Sequence, residues 1–261
     1  MPEILEIELY RRSIEPVVGR TIAEVHAPDP WFLKGGVVAA QLNDALVGAE
    51  VSALRRRGKL LLMDFVGDGP VLGLRFGMTG RPFLDDGGPL LELEYSSRRA
   101  HADWDRFALQ FSDGGSLRIN DPRRLGGVEL DPDEDALGPD AFELTLARLR
   151  TVFHSAAPVK AVLLDQHRIA GLGNMLADEV LYRAGVDPAR PARSLDDSSV
   201  KAIHRAIRRV LPELLERGGS HAGRLAVGLR VPGARCPKDG AELLRRTIGG
   251  RTTYSCPAHQ R

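Results

Sequence analysis

The N-terminus, Met1-Pro2-Glu3-Ile4-Leu5-Glu6, sets a proline behind the initiator methionine and a carboxylate directly after it. Methionine is normally removed before proline, which would leave Pro2 with a free secondary amine. Such an amine ionises near the α-amino range, roughly 7.7 to 8.0, so a useful fraction is uncharged at neutral pH. It can attack a sugar C1′ and form an iminium, covalent catalysis that needs no activated side chain. Glu3 stands beside it as a proton donor and acceptor. The competing reading is structural: proline suits the first turn of a helix because its φ is already helical.

Three further segments could do chemistry. Cys236-Pro-Lys-Asp239 is followed by sixteen residues and then Cys256-Pro-Ala-His259. A zinc ribbon places ligands at those four positions, and zinc accepts thiolate, carboxylate and imidazole, so Cys236, Asp239, Cys256 and His259 form a candidate site for one structural ion. The alternative is a ribbon that has lost its metal and is held by packing. Gly171-Leu-Gly-Asn174 allows a tight turn into a helix beginning at Asn174, whose free amides and side chain could meet an anion. Asp121-Pro-Arg-Arg-Leu125 puts adjacent arginines on a proline-started turn. They could be surface residues, or Arg123 could hydrogen-bond an orphaned base while Leu125 wedges the stack.

These groups need a scaffold, and the hydrophobic pattern changes character along the chain. Residues 3–18 read as one amphipathic helix ended by Gly19. Short β runs follow at 51–54, 59–66, 71–77, 90–95, 106–111 and 117–120, separated by Gly/Asp turn signals, the mark of a sandwich or barrel. An acidic stretch from Glu129 to Asp135 reads as a linker. Beyond it, helices are expected at 144–153, 159–165, 175–184 and 198–217, then a hairpin with strands at 241–247 and 251–255. The expected domains are 1–128, a linker at 129–140, a helical domain at 141–222 and a zinc-finger-like hairpin at 223–261.

The whole-chain charge of +1 hides an asymmetry. Residues 201–261 hold thirteen Lys or Arg against four Asp or Glu, which leaves the first two hundred at −8. A basic C-terminal part can meet phosphates although the chain is near neutral, and the helix at 201–217 is the obvious carrier. With only Cys236 and Cys256 a disulfide framework is excluded, and a cytoplasmic location is expected. No apolar run reaches the length of a membrane span.

In this order and combination the motifs resemble the formamidopyrimidine-DNA glycosylase and endonuclease VIII family over nearly the full chain. Pro2 to Glu8 is similar to its N-terminal signature, and Arg57-Gly-Lys59-Leu-Leu-Leu to its catalytic-lysine segment. Phe76-Gly-Met78-Thr-Gly80 resembles the segment carrying a space-filling methionine, and Asp121 to Gly126 its intercalation loop. Asp165 to Glu179 matches the helix–two-turn–helix motif, and the Cys236 to His259 hairpin sits where the family has its zinc finger. The resemblance implies an α+β fold: an N-terminal β-sandwich with a leading α-helix, then a helical helix–two-turn–helix domain with a zinc-ribbon-like β-hairpin.

It also implies roles. Pro2 would be the nucleophile, Glu3 would protonate the opening sugar, Glu6 would assist, and Lys59 would hold phosphate or lesion. Asn174 and Arg251 would grip phosphates flanking a flipped nucleotide, while Met78, Arg123 and Leu125 fill the gap. The partner would be damaged double-stranded DNA, and nothing calls for more than a monomer. Departures are Leu5 for a small residue or proline, Leu125 for an aromatic, Asp239 and His259 for cysteines, and a short 218–230 stretch. Two rival readings follow: an endonuclease VIII-like preference for oxidised pyrimidines, and a damaged-DNA binder without turnover.

Overall fold

A computed structural model describes residues 2–85, 87, 101–225 and 227–261. The strand expected at 90–95 lies outside these residues. The chain divides into two compact units, one of Pro2 and Glu6–Glu134, the other of Glu3–Leu5 and Asp135–Arg261.

The first unit holds most of helix α1 (Ile4–Ser13), strand β1 (Ile22–His26), helix α2 (Ala39–Leu46) and strands β2 (Val51–Arg57), β3 (Leu60–Phe65), β4 (Leu72–Arg75), β5 (Arg81–Leu84), β6 (Asp105–Phe111), β7 (Ser116–Asn120) and β8 (Gly127–Leu130). The strands form two four-stranded antiparallel sheets, ordered β1-β6-β7-β5 and β2-β3-β4-β8. Phe107, Leu109 and Phe111 recur with period two on β6, and they share one buried core with Leu61, Met63, Leu72 and Leu74 of the other sheet. A single core between two sheets is a sandwich.

Helix α1 is shorter than the periodicity suggests. Pro16 has no N–H to continue the α-helical ladder, so the α-helix stops at Ser13, Ile14 leaves helical geometry (φ −99°, ψ 7°) and a 3₁₀ turn covers Glu15–Val17. The sequence reading also missed β1, α2, β5 and β8. Strand β5 reads Arg-Pro-Phe-Leu, and its proline is tolerated because β5 is the edge of its sheet.

The second unit contains α3 (Leu146–Val152), α4 (Val159–Leu164), α5 (Asn174–Ala184), α6 (Asp197–Glu216) and the hairpin β9 (Leu244–Ile248) and β10 (Arg251–Ser255). The apolar faces of the helices close on Ile4, Leu5, Leu172 and Leu176, all fully buried. Asp196 caps α6 by accepting from Ser199 N at 2.8 Å. The hairpin turns on Gly249 and Gly250, both left-handed (φ +58° and +72°), so β9 begins three residues later than the expected 241–247 strand. No helix among the described residues is long and apolar enough to cross a membrane.

Candidate active site and metal centre

The turn before α5 is organised around Glu3. Its Oε2 accepts from Gly173 N at 2.8 Å and Leu176 N at 3.1 Å, and its Oε1 accepts from Met175 N at 2.8 Å. The amides that the sequence suggested for an outside anion are therefore taken by the chain's own carboxylate. Three N–H donors and the positive end of a helix stabilise its negative charge. The two glycines do more than turn the chain. A Cβ on Gly173 would lie 2.2 Å from Glu3 Cδ, and one on Gly171 (φ +114°) would lie 2.4 Å from Ile4 Cδ1. Both must be glycine for residues 3 and 4 to approach.

In the first unit, Pro2 is buried and Glu6 is only 4% exposed. One helical turn after Glu6, Tyr10 donates to the Gly80 carbonyl at 3.3 Å. Burial, reinforced by the Glu6 charge, pushes the Tyr10 phenol above its ordinary range. Lys59 is half-buried. It belongs to the two-residue turn between β2 and β3, where Arg57 pairs with Leu60, and not to the strand the sequence suggested. Gly58, with φ +56°, supplies the left-handed residue of that turn.

Arg123 and Leu125 are exposed on the loop that begins at Asp121, and Leu125 keeps 49% of its surface in solvent. Asp121 itself is fully buried and holds the loop from inside. Its Oδ2 accepts from Leu125 N at 2.9 Å and Gly126 N at 2.8 Å, and its Oδ1 accepts from Arg123 N at 3.2 Å and the Thr79 hydroxyl at 2.5 Å. Thr79 follows the exposed Met78, so one carboxylate ties the methionine segment to the arginine loop. Gly77 completes the junction: a Cβ there would lie 2.4 Å from the Leu125 carbonyl carbon. Arg124 is instead paired with Asp29, which accepts from its Nε at 2.6 Å and its Nη2 at 2.5 Å. Asp121→Ala is expected to lower unfolding stability by about 2 kcal/mol through stranded loop donors. The base excision expected from the sequence should fall as far as is expected for the Arg123→Ala Leu125→Ala double variant, which removes the loop's side chains themselves. Urea denaturation and an excision assay check this; an Asp121→Ala protein normal in both would show that the loop is held otherwise.

In the second unit Asn174 Nδ2 donates to the Thr252 carbonyl at 3.0 Å, and the exposed Arg251 is the neighbouring residue. The structure thus brings Asn174 and the Arg251 strand together. Beneath them Lys160, fully buried, donates to Thr253 Oγ1 at 2.7 Å and Thr252 O at 3.2 Å and pairs with Asp178 Oδ1 at 2.7 Å. Burial holds the Lys160 ammonium below the ordinary lysine range, against the pull of Asp178. Sequence reasoning missed Lys160 and gave no role to Asp178 or to Asp121, which it named only as the start of the arginine motif. The signal for Lys160 was a lone cation in the apolar run Val159-Lys-Ala-Val-Leu-Leu164.

Cys236, Asp239, Cys256 and His259 converge, with one ligand atom from each lying within 4.8 Å of all the others. Asp239 Oδ2 is 2.6 Å from His259 Nδ1, Cys256 Sγ is 3.3 Å from both Asp239 oxygens, and Cys236 Sγ is 3.9 Å from His259 Nδ1. The His259 contact holds the Asp239 carboxyl well below the usual range, while burial pushes the Cys256 thiol up. Tetrahedral zinc would set such donors roughly 3.3 to 3.8 Å apart. The cluster fits a metal ion with small adjustments of its side chains.

The model of the formamidopyrimidine-DNA glycosylase N-terminal domain matches residues 1–128, and that of the formamidopyrimidine-DNA glycosylase H2TH domain matches 130–224. The formamidopyrimidine-DNA glycosylase of Thermus thermophilus is 36% identical, covering 100% of this chain and 98% of that protein. The Carboxydothermus hydrogenoformans protein of the same name is 33% identical with both chains covered completely. Among solved structures, the Lactococcus lactis Fpg bound to abasic-site DNA superposes with a TM-score of 0.84 at 28% identity, covering 100% of each chain. The same protein with DNA containing Fapy-dG gives 0.83 at 28% identity, over 99% of this chain and 100% of that one. The chain belongs to the formamidopyrimidine-DNA glycosylase family.

Proposed function

We propose that this protein is a bifunctional DNA glycosylase and abasic-site lyase acting on oxidised bases of the formamidopyrimidine or 8-oxoguanine type. The observation that carries the reading is the Glu3 carboxylate, anchored by three backbone amides directly after a proline whose amine processing would free. In this mechanism the Pro2 nitrogen bonds to C1′ as the base leaves, the Glu3 carboxylate takes the proton that the amine gives up, and it passes that proton to the sugar oxygen as the ring opens to the iminium. The resulting iminium acidifies C2′, so β-elimination breaks the 3′ C–O bond and δ-elimination the 5′ one. Glu6 assists near the nucleophile, and Lys59 holds phosphate or the lesion. Met78, Arg123 and Leu125 fill the vacated base space, which offsets part of the few kcal/mol lost on flipping.

Asn174 and Arg251 grip the flanking phosphates. One zinc ion on Cys236, Asp239, Cys256 and His259 would hold the hairpin that presents Arg251; its part is structural. Arg251→Ala should weaken binding to every duplex by about 3- to 10-fold and reduce the salt slope by about one. Stripping the metal with a chelator should do the same, alongside a measured zinc content near one per chain. A defect confined to one lesion would contradict the phosphate role.

The reading is tested by borohydride trapping, with methionine removal verified by mass, on duplexes carrying an abasic site, 8-oxoguanine, a formamidopyrimidine or an oxidised pyrimidine. Strong adducts on the purine-derived lesions support it. Strongest trapping on the oxidised pyrimidine would move the assignment to that class, and no adduct on any duplex would mean a binder without turnover.

A further inference from the structure

Alongside the metal cluster, the second unit carries a concave pocket of about 360 Å³ that none of the chemistry above uses. One wall is a stripe of α6, on which Ala202, Arg205, Ala206, Arg209 and Glu213 recur at helical spacing. Arg224 and Lys238 close it from the loop after α6 and from the first knuckle of the hairpin. Arg205, Arg209, Arg224 and Lys238 are exposed, and among the described residues none of their side chains makes a hydrogen bond or ion pair. Glu213, the one acid in the lining, is already neutralised: its Oε1 lies 3.2 Å from Arg183 Nη2 and 3.1 Å from Arg217 Nη2. Arg205, Arg209 and Lys238 therefore face one small concavity with no anionic partner among the described residues, and Arg224, whose charge also acts on Glu213, adds a fourth cation.

We infer that this pocket is a docking site for an acidic peptide segment of a partner protein. Charge alone would also suit nucleic acid, but three features favour a peptide. The pocket is a recess, and the convex backbone of a duplex does not enter one of this volume. It offers no stacking platform for single-stranded bases, because its one aromatic, Tyr182, is 2% exposed with its hydroxyl 3.3 Å from Cys236 Sγ. It also lies at the far end of α5 from Asn174, about 12 Å along the helix axis, so it does not extend the phosphate grip proposed above. The half-buried Ala202 methyl, above the buried Ala206, gives the α6 wall a small apolar spot. A segment rich in Asp and Glu with one or two apolar side chains meets both the spot and the charges.

The test is fluorescence anisotropy with a rhodamine-labelled peptide of about ten residues, Asp-rich with two central leucines, added to the full-length protein. Binding with a Kd on the order of 10 to 100 μM near 50 mM salt is expected, weakening about tenfold at ~0.3 M salt. Arg205→Glu Arg209→Glu should weaken it at least about tenfold, and Lys238→Glu, on a different element, should weaken it independently. Both variants should keep the melting temperature and the borohydride adduct on an abasic duplex, which separates loss of this site from misfolding and from failure of the enzymatic reading. Three outcomes would overturn the proposal: no peptide binding, binding indifferent to both variants, or equal or tighter binding of a single-stranded oligonucleotide or inorganic phosphate at the same residues.

Discussion

With Pro2 replaced by glycine, excision of a damaged base is expected to fall at least about 100-fold, a loss of roughly 2.7 kcal/mol of transition-state stabilisation. Duplex affinity should stay within about twofold, because the residue grips no phosphate. Glycine still offers a primary amine, but the pyrrolidine ring that fixes the direction of the nitrogen lone pair is gone, and the freed N-terminus must be ordered at every attack. The companion experiment leaves the sequence intact and retains Met1. The Pro2 nitrogen is then an amide without a nucleophilic lone pair, and the borohydride adduct should disappear entirely. Excision and trapping at normal rates in both proteins would rule out the iminium at residue 2.

The second large effect concerns how Glu3 is held. Glu3→Gln puts an NH₂ group where one of three backbone donors now finds an oxygen, leaving at least one buried N–H unmatched at a cost of about 1 to 3 kcal/mol. Excision should drop by about 10²- to 10⁴-fold as the proton carrier is lost. That change confounds chemistry with stability, and Gly173→Ala separates them. Gly173 has φ −119°, which alanine adopts freely, so backbone strain is not at issue. What alanine introduces is a methyl 2.2 Å from Glu3 Cδ, which forces the carboxylate off its amides. Excision should fall by at least about tenfold while Pro2 stays chemically competent, so a trapped adduct on an abasic duplex should persist at a reduced rate. Normal excision by Gly173→Ala would mean that the position of Glu3 is not what the turn provides.

The fold shows where local pattern suffices. The period-two alternation of Phe107, Leu109 and Phe111 and the helical spacing along α6 depend on near neighbours, so they were legible from the chain. Strand β5 was not. Arg-Pro-Phe-Leu has no alternation, and it becomes a strand only because Leu84 and Arg81 pair with Leu117 and Asn120 of β7. Lys59 shows the same limit at one residue: Leu60 to Met63 read as a strand, but the register of Arg57 with Leu60 moved the lysine into the turn.

For the site, the sequence by itself determined the candidates that the proposed function uses: Pro2, Glu3, Glu6 and Lys59, the exposed Met78, Arg123 and Leu125, and two Cys knuckles completed by Asp239 and His259. Their types and spacings are local facts. Tertiary structure alone decided what holds them. Asp121 fastens both Met78's segment and the arginine loop, Lys160 supports the strand beside Arg251, and the α5 amides belong to a carboxylate some 170 residues earlier in the chain. It also decided that Arg205 and Arg209 of α6 line a pocket together with Arg224 and Lys238, residues distant in the chain. A buried polar group must find its partner wherever folding brings one, and no period or spacing in the sequence encodes that distance.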